Sequence, residues 1–120
     1  MTELKTYTGS CHCGKVRYEV ALDLSAPVIS CNCSMCARSG TLLAFAPASQ
    51  FKLLSGEDSL TDYLFNRHAI HHTFCSTCGI KAFAKGVAPD GSETRAINTR
   101  CLEDVDITQL KIMQFDGKSR

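Results

Sequence analysis

Seven of the eight cysteines in this chain fall into three short clusters, each beside a glycine or a serine. They are the pair Cys11 and Cys13, the triplet Cys31, Cys33 and Cys36, and the pair Cys75 and Cys78. Two cysteines separated by one residue on an extended strand project to the same side with Cα atoms about 6.6 Å apart, which is awkward for a mutual disulfide but suits a shared ion. In a reducing cytosol such spacings more often indicate metal binding or catalysis than disulfides. We interpret the clusters as thiolate ligands for two zinc ions.

The two cysteine pairs are predicted to form one metal site together. Zinc prefers four tetrahedral ligands, and a structural site takes all four from the protein. Only the two pairs close a four-thiolate site without leaving a thiolate over, which predicts a structural zinc held by Cys11, Cys13, Cys75 and Cys78. Such an ion clips the N-terminal strand to a mid-chain segment and stabilises a domain whose core is modest.

The triplet offers a second ion three ligands, Cys31, Cys33 and Cys36, and leaves a fourth position open, as in catalytic zinc sites. The alternative is that Cys101 or a histidine fills this position and the second site is structural too. Three thiolates leave the complex negatively charged and weaken its Lewis acidity, which disfavours zinc hydroxide chemistry. Since zinc lowers the pKa of a coordinated thiol, the open position suits a thiol substrate better than water.

Two arginines and the eighth cysteine are weaker candidates. Arg38 and Arg100 are suited to pair with the carboxylate of an anionic substrate, although a solvated surface position explains both residues simply. We carry Arg100 forward as a candidate substrate-binding residue. Cys101 is interpreted as a small buried hydrophobe rather than as a nucleophile.

The four histidines carry little signal. His71 and His72 point to opposite faces of a strand, so at most one of them faces a site. His12 stands between two cysteines and is expected to be exposed or to shape the surroundings of the metal. His68 has no informative context.

Composition excludes several classes of function. At 120 residues the chain is expected to form one domain, residues 1–120, and its 13 basic and 12 acidic residues leave a formal net charge of +1. No basic stripe or charged tail supports binding to nucleic acid or to a membrane surface. The N-terminal segment is polar, and no apolar run approaches the roughly 20 residues that span a bilayer. We therefore expect a soluble, cytoplasmic protein.

The segments around the cysteines have the pattern of short strands. Val16, Tyr18 and Val20 alternate with Arg17 and Glu19, as in a half-buried strand that follows the first cysteine pair. Further short strands are predicted at 28–29, 41–46, 51–54, 60–65, 69–74, 80–84, 94–101 and 112–115. The turn signal at 87–91 joins two of them into a hairpin over 80–101.

At most one or two short helices are expected. One is predicted within residues 102–110, with Asp106 as its cap, and residues 37–40 form a turn or a single helical turn. Leu64 and Phe65 are predicted members of the core. Many short strands joined by turns predict a mainly-β fold of small antiparallel sheets.

Four motifs in this order resemble the glutathione-dependent formaldehyde-activating enzyme family, which includes the centromere protein V group. They are Gly9-Ser10-Cys11-His12-Cys13-Gly14, Cys31-x-Cys33-x-x-Cys36-x-x-x-Gly40, Phe74-Cys75-x-x-Cys78-Gly79 and Asn98-x-Arg100-Cys101-Leu102. The resemblance implies a zinc-bearing β-tent fold of small antiparallel sheets. It also implies that the two pairs hold a structural zinc and that the triplet holds a catalytic one, in agreement with the count of ligands.

The family is classed as carbon–sulfur lyases, and its named member adds glutathione to formaldehyde to give S-hydroxymethylglutathione. We therefore predict a zinc-dependent enzyme with two Zn²⁺ per chain that makes or breaks a carbon–sulfur bond between a small thiol, such as glutathione, and formaldehyde or a related electrophile. The alternative is a non-catalytic zinc module that binds a protein partner or buffers metal. A thiol redox protein using Cys75 and Cys78 requires a βαβ context that the pattern lacks.

Overall fold

Short β-strands joined by turns make up most of the described backbone. The structure is a computed structural model, and it describes residues 4–64, 70–88 and 90–116. In chain order the strands are β1 (Lys5–Ser10), β2 (Arg17–Leu22), β3 (Val28–Cys31), β4 (Leu43–Pro47), β5 (Phe51–Ser55), β6 (Leu60–Tyr63), β7 (His72–Cys75), β8 (Phe83–Val87), β9 (Glu93–Asn98) and β10 (Ile112–Phe115). Among the described residues there is one α-helix, α1 (Ser34–Ser39). None of the helical segments in these ranges is long and apolar enough to cross a membrane.

The strands form three sheets. β1, β2 and β5 make a three-stranded antiparallel sheet, and β6 pairs with β7, also antiparallel. The largest sheet has the order β10-β3-β4-β9-β8. All of its pairs are antiparallel except β10 with β3, which is parallel. The predicted mainly-β fold of small sheets is therefore confirmed, with one parallel pair as a departure from the antiparallel expectation.

The core lies between the three-stranded sheet and the largest sheet. Alternate residues of β2 and of the turn before it are buried, namely Val16, Tyr18, Val20 and Leu22. The Tyr18 ring packs against Phe51 and Phe83, with ring centroids 5.2 and 5.7 Å away. Its hydroxyl donates a hydrogen bond to the carbonyl of Ala82 at 3.2 Å. Each large apolar side chain buried in this way stabilises the fold by about 1.5–3 kcal/mol, so the packing fixes β2 against the segment that leads into β8.

Several strands differ in extent from the sequence prediction. The pattern does not predict β1, because residues 5–10 are polar and show no apolar alternation; this strand exists through its pairing with β2, from Lys5 opposite Leu22 to Ser10 opposite Arg17. The predicted hairpin is confirmed as β8 and β9, although β8 lies three residues nearer the turn than predicted and β9 is shorter, ending at Asn98. Leu64 is half-buried, and Phe65 lies outside the described residues.

The short helix predicted within residues 102–110 is present as a 3-10 helix of a single turn. The segment contains one 3-10 turn, Ile107–Gln109, which Asp106 caps by accepting a hydrogen bond from the N–H of Thr108 at 3.0 Å. Asp104 has a left-handed backbone with φ of 58°, a conformation that no continuous right-handed helix contains. The cap was therefore identified correctly, but the helix it begins ends after a single turn.

Candidate metal centres

The two cysteine pairs, far apart in sequence, meet as a group of four sulfur atoms, hereafter the four-cysteine cluster. Cys11 and Cys13 lie in the turn between β1 and β2, while Cys75 ends β7 and Cys78 lies in the turn that follows. The four sulfur atoms all lie within 4.8 Å of one another. The fold thus brings together the four residues that the sequence assigns to a structural zinc.

Each of the two turns is shaped by a glycine. Gly14 and Gly79 have left-handed φ values of 83° and 78°, which other residue types rarely adopt. The N–H of Gly79 donates to the carbonyl of Cys75 at 2.8 Å and closes the second turn. Between the turns, Lys15 Nζ donates to the hydroxyl of Thr77 at 3.2 Å. Local backbone geometry therefore presents both cysteine pairs to one centre.

The sulfur spacing in the four-cysteine cluster fits a tetrahedral metal ion. Cys13 Sγ lies 3.6 Å from the Sγ atoms of both Cys11 and Cys75. A Zn–S distance of about 2.3 Å places tetrahedral sulfur atoms about 3.8 Å apart, whereas a disulfide requires about 2.05 Å. All of these cysteines are free thiols. The residues present therefore have the donor set and the spacing of a closed zinc site.

The thiols of the four-cysteine cluster differ in pKa. Loss of hydration opposes ionisation of Cys78, but hydrogen bonds from the backbone of Cys13 and Ile80 and from neighbouring thiols lower the pKa of Cys78 to about 6. The backbone of Lys15 favours the Cys13 thiolate, yet loss of hydration and the neighbouring thiols together raise the pKa of Cys13 to about 11. One thiol thus ionises near neutral pH, and another keeps its proton until a cation displaces it.

The cysteine triplet forms a second group, hereafter the three-cysteine cluster, where β3 leads into α1. Cys31 is the last residue of β3, Cys33 is the N-cap of α1, and Cys36 is buried within the helix. The three sulfur atoms lie within 4.8 Å of one another. The N–H of Cys33 donates to the Cys31 sulfur and the N–H of Cys36 to the Cys33 sulfur, both at 3.4 Å. Hydrogen bonds of this kind stabilise thiolates, so this set is also suited to hold a metal ion.

Ionisation in the three-cysteine cluster depends on groups around it. Burial and the neighbouring Cys33 raise the pKa of Cys36 to about 11, while the Thr41 hydroxyl and the charge of Lys81 act in the opposite direction. For Cys33, hydrogen bonds from Cys36 and Cys31 outweigh the loss of hydration and lower its pKa. A positive charge on Lys81 therefore favours the ionised form of this cluster.

No fourth cysteine, histidine or carboxylate joins the three-cysteine cluster in the part of the chain that the structure describes. Cys101, the expected alternative ligand, interacts with the four-cysteine cluster instead. Burial and then the charges of Cys11 and Cys78 raise the pKa of Cys101 to about 11. The Asn98 side-chain amide donates to the Cys101 sulfur at 3.6 Å. The geometry thus does not support Cys101 as the fourth ligand.

The histidines also leave the fourth position open within the described ranges. His71 is exposed and His72 is buried, which confirms that they face opposite sides of their strand. His72 Nδ1 accepts a hydrogen bond from Lys81 Nζ at 2.8 Å. Burial and then the charge of Lys81 lower the pKa of His72 to about 4. His12 is exposed, and His68 lies outside the described residues.

Lys81 belongs to the surroundings of the three-cysteine cluster but carries no sequence signal. It is half-buried, and burial lowers its pKa while the thiols of Cys36, Cys33 and Cys31 act in the opposite direction. The Asn98 side chain donates to the Lys81 carbonyl at 3.0 Å and fixes the backbone there. Lys81 comes near the cluster only when the chain folds, so the spacing of the cysteines in the sequence does not identify it.

A shallow groove of about 320 Å³ lies along the helix that carries the three-cysteine cluster. It is lined by Ser34, Met35 and Arg38 of α1 and by Tyr63 of β6. Arg100 is exposed, and its Nε donates to the carbonyl of Gly40, the C-cap of α1, at 3.1 Å. Of the two candidate arginines, Arg38 therefore lies on α1 and Arg100 lies at its C-terminal end. A larger depression of about 450 Å³ between β6, β7 and β8 contains neither cluster.

Two comparisons with known proteins cover nearly the whole chain. The family model described as "Glutathione-dependent formaldehyde-activating enzyme" matches residues 6–115, which include all the cysteines of both clusters. Among solved structures, the chain is similar to a crystal structure of a Rhodobacter sphaeroides protein determined as a structural genomics target. The two share 33% sequence identity with a TM-score of 0.76, and the match covers 88% of this chain and 99% of that one.

Proposed function

Because the chain belongs to the glutathione-dependent formaldehyde-activating enzyme family, we propose that it is a zinc-dependent carbon–sulfur lyase acting on a small thiol and formaldehyde or a related electrophile. In the forward direction it adds the thiol, such as glutathione, to the carbonyl group, and in the reverse direction it releases both. The observation that carries the proposal is the three-cysteine cluster. Its sulfur atoms lie within 4.8 Å of one another, and no fourth protein ligand completes it among residues 4–64, 70–88 and 90–116. Ser34 and Met35, which stand between Cys33 and Cys36 in the chain, line a groove along α1.

The two clusters have separate roles in this proposal. Four ligands close the four-cysteine cluster, so Cys11, Cys13, Cys75 and Cys78 hold a structural zinc. The three-cysteine cluster holds a second zinc and leaves room for one external ligand. When bound there, zinc lowers the pKa of a substrate thiol and fixes the position of its sulfur.

The proposed reaction forms one carbon–sulfur bond and breaks the π bond of a carbonyl group. The thiol gives its proton to solvent, its sulfur attacks the carbonyl carbon, and the carbonyl oxygen takes up a proton to give an S-hydroxymethyl product. The chain has to bind the thiol and orient its sulfur, and the groove along α1 is the place for the remainder of the molecule. Arg38 and Arg100 are the proposed partners of substrate carboxylates. Such additions are already fast in water, so little lowering of the barrier is required.

The proposal is tested by the exchange rate between glutathione, ¹³C-formaldehyde and their adduct, measured by NMR exchange spectroscopy. We expect the zinc-loaded protein to accelerate formation and breakdown of the adduct by the same factor. Cys33→Ser should abolish the acceleration, whereas Cys101→Ser should retain it. Exchange that stays at the rate of buffer alone would favour the alternative, a non-catalytic zinc module for protein binding or metal buffering.

A further inference from the structure

The strand that ends in the three-cysteine cluster is paired with β10 as far as its last residue. β10 lies beside β3 along the whole length of β3, from Val28 to the first ligand, Cys31. On the other side of β3, the described ladder joins Ile29 to Leu43 of β4 and stops there. Of the two neighbouring strands, β10 is therefore the one whose ladder reaches Cys31.

Two hydrogen bonds extend this support to Asn32, the residue between the ligands Cys31 and Cys33. The N–H of Asn32 donates to the Phe115 carbonyl at 3.1 Å. Its side-chain amide donates to Asp116 Oδ1 at 3.0 Å. Cys31 and Cys33 are half-buried whereas Asn32 is exposed, as expected where successive residues of an extended chain point to opposite sides. The Asn32 side chain therefore points away from the two sulfur atoms and is bound by Asp116.

The backbone at Asn32 controls the distance between two ligand sulfur atoms. Two cysteines separated by one residue face the same ion only while the chain between them stays extended. Rotation about φ or ψ of Asn32 would move one sulfur away from the other, and the cluster has three ligands in the described part of the chain. Loss of groups that orient metal ligands typically weakens metal binding by about 10- to 100-fold. A contact that fixes Asn32 is therefore expected to affect the affinity for the ion.

We propose that Asp116 is a positioning residue for the second metal site, because by binding the Asn32 side chain it holds Cys31 and Cys33 at the spacing that one ion requires. This inference rests on the proposed function, since it concerns the zinc that would receive the substrate thiol. Asp116 acts through its hydrogen bond and not through its charge, because a negative charge disfavours ionised thiols. An uncharged acceptor in the same place should therefore keep the effect.

The test measures the affinity of the three-cysteine cluster for Co²⁺ by competition with a chelator, in protein whose four-cysteine cluster retains zinc. Sulfur-to-cobalt charge-transfer absorption is the readout, and zinc content is measured in parallel. We expect Asp116→Ala to weaken Co²⁺ binding by about 10-fold, the lower end of the range for groups that orient ligands, because this contact is exposed. Asp116→Asn should keep the wild-type affinity, since its side-chain oxygen still accepts from Asn32.

Asp90→Ala is the matched control. Asp90 is also an exposed carboxylate that accepts a backbone hydrogen bond, from the N–H of Ser92 at 2.9 Å. It lies in the turn between β8 and β9, and β8 is at the opposite edge of the sheet from β10. This variant should therefore leave Co²⁺ affinity unchanged.

A double-mutant cycle checks that Asp116 acts through Asn32. Asn32→Ala removes the same hydrogen bond from the other side, so the variant that carries both Asn32→Ala and Asp116→Ala should bind Co²⁺ no more weakly than the weaker of the two single variants. Losses that add would overturn the proposal, because the two residues would then act separately.

The remaining outcomes separate this inference from the proposed function. Wild-type Co²⁺ affinity of Asp116→Ala would overturn the inference alone, and so would an equally weak Asp116→Asn. Loss of zinc from the four-cysteine cluster of Asp116→Ala would also overturn it, because the effect would then be general. A wild-type protein that binds metal in both clusters but does not accelerate exchange between glutathione and formaldehyde would contradict the proposed function and leave the role of Asp116 in metal binding intact.

Discussion

At the scale of single residues, the two cysteine clusters differ in how deeply they are built into the core. In the four-cysteine cluster, Cys11 is 3% exposed and Cys75 is fully buried, and both belong to the main hydrophobic core. In the three-cysteine cluster only Cys36 is buried, while Cys31 and Cys33 are half-buried. Loss of one thiol should therefore have different consequences in the two places.

We predict that Cys75→Ser unfolds the domain, whereas Cys33→Ser leaves it folded with about one zinc fewer. A structural zinc contributes on the order of 10 kcal/mol, comparable with the whole stability of a typical domain. The second cluster lies at the edge of the core, and its ion is not needed to join distant segments. Thermal melting combined with metal analysis checks both variants, and closely similar melting curves would contradict the division of roles.

His72 gives a second residue-scale prediction. Burial, followed by the charge of Lys81, lowers its pKa to about 4. Its ring should therefore stay neutral from about pH 7.5 to about pH 5.5, a range in which a histidine of ordinary pKa becomes protonated. Removal of a nearby positive charge favours the protonated ring, so Lys81→Met should raise this pKa, while Lys15→Met should not change it. NMR titration of the ring protons measures these values, and a wild-type His72 that titrates near pH 6.5 would contradict the described geometry.

The grouping of the cysteines could be predicted from sequence, but the residues around them could not. Spacing alone groups Cys31, Cys33 and Cys36, because residues so close in the chain stay close in any fold. Lys81 is separated from that triplet by a long stretch of chain, and its charge acts on the triplet only in the folded protein. His72, which accepts a hydrogen bond from Lys81, comes from β7.

At the scale of elements, the turn after β5 supports the turn that carries the first cysteine pair. Gly56 follows β5 with φ of 91°, and a Cβ atom there would lie 2.3 Å from the Lys15 carbonyl oxygen and 2.7 Å from Val16 Cα. Both of these neighbours are backbone atoms and cannot rotate away. The close approach of the two turns therefore depends on a residue without a side chain.

We predict that Gly56→Ala lowers the free energy of unfolding by about 3–5 kcal/mol, because it adds a backbone clash to the cost of a left-handed conformation. Gly91→Ala is the matched control, since Gly91 has φ of 90° but nothing within 4 Å of its ideal Cβ position. The control should lose only about 1–2 kcal/mol. Urea denaturation gives both values, and equal losses would show that the contact with Lys15 is unimportant.

Elements with a local signal were predicted, and those that depend on distant pairing were not. The alternation of Val16, Tyr18 and Val20 identifies β2, and the turn before β9 identifies the hairpin. β1 has no such pattern and is defined by its hydrogen bonds to β2. The helix capped by Asp106 is limited to a single turn, because the chain then enters β10 and pairs with β3, a pairing that is not apparent from residue types alone.

At the scale of the whole molecule, β10 pairs with β3, the strand that ends at the first cysteine of the three-cysteine cluster. β10 pairs with β3 in parallel, which sets Phe115 opposite Cys31. The N–H of Asn32 then donates to the Phe115 carbonyl at 3.1 Å. A parallel pair between strands so far apart in sequence cannot be predicted from hydrophobic periodicity, because the pattern of one strand does not identify the strand with which it pairs. The fold thus supports the second cluster from one side and leaves the groove along α1 open.

The most direct test of the account is zinc release from the fully loaded protein in the presence of a mild chelator. The described geometry has one cluster closed by four cysteines and another with three, so two phases are predicted. One zinc should leave readily and be protected by added glutathione, and the other should stay until the protein unfolds. Two zinc ions that leave at the same rate, with no protection by the thiol, would contradict the claim that one site is sealed and the other is open to substrate.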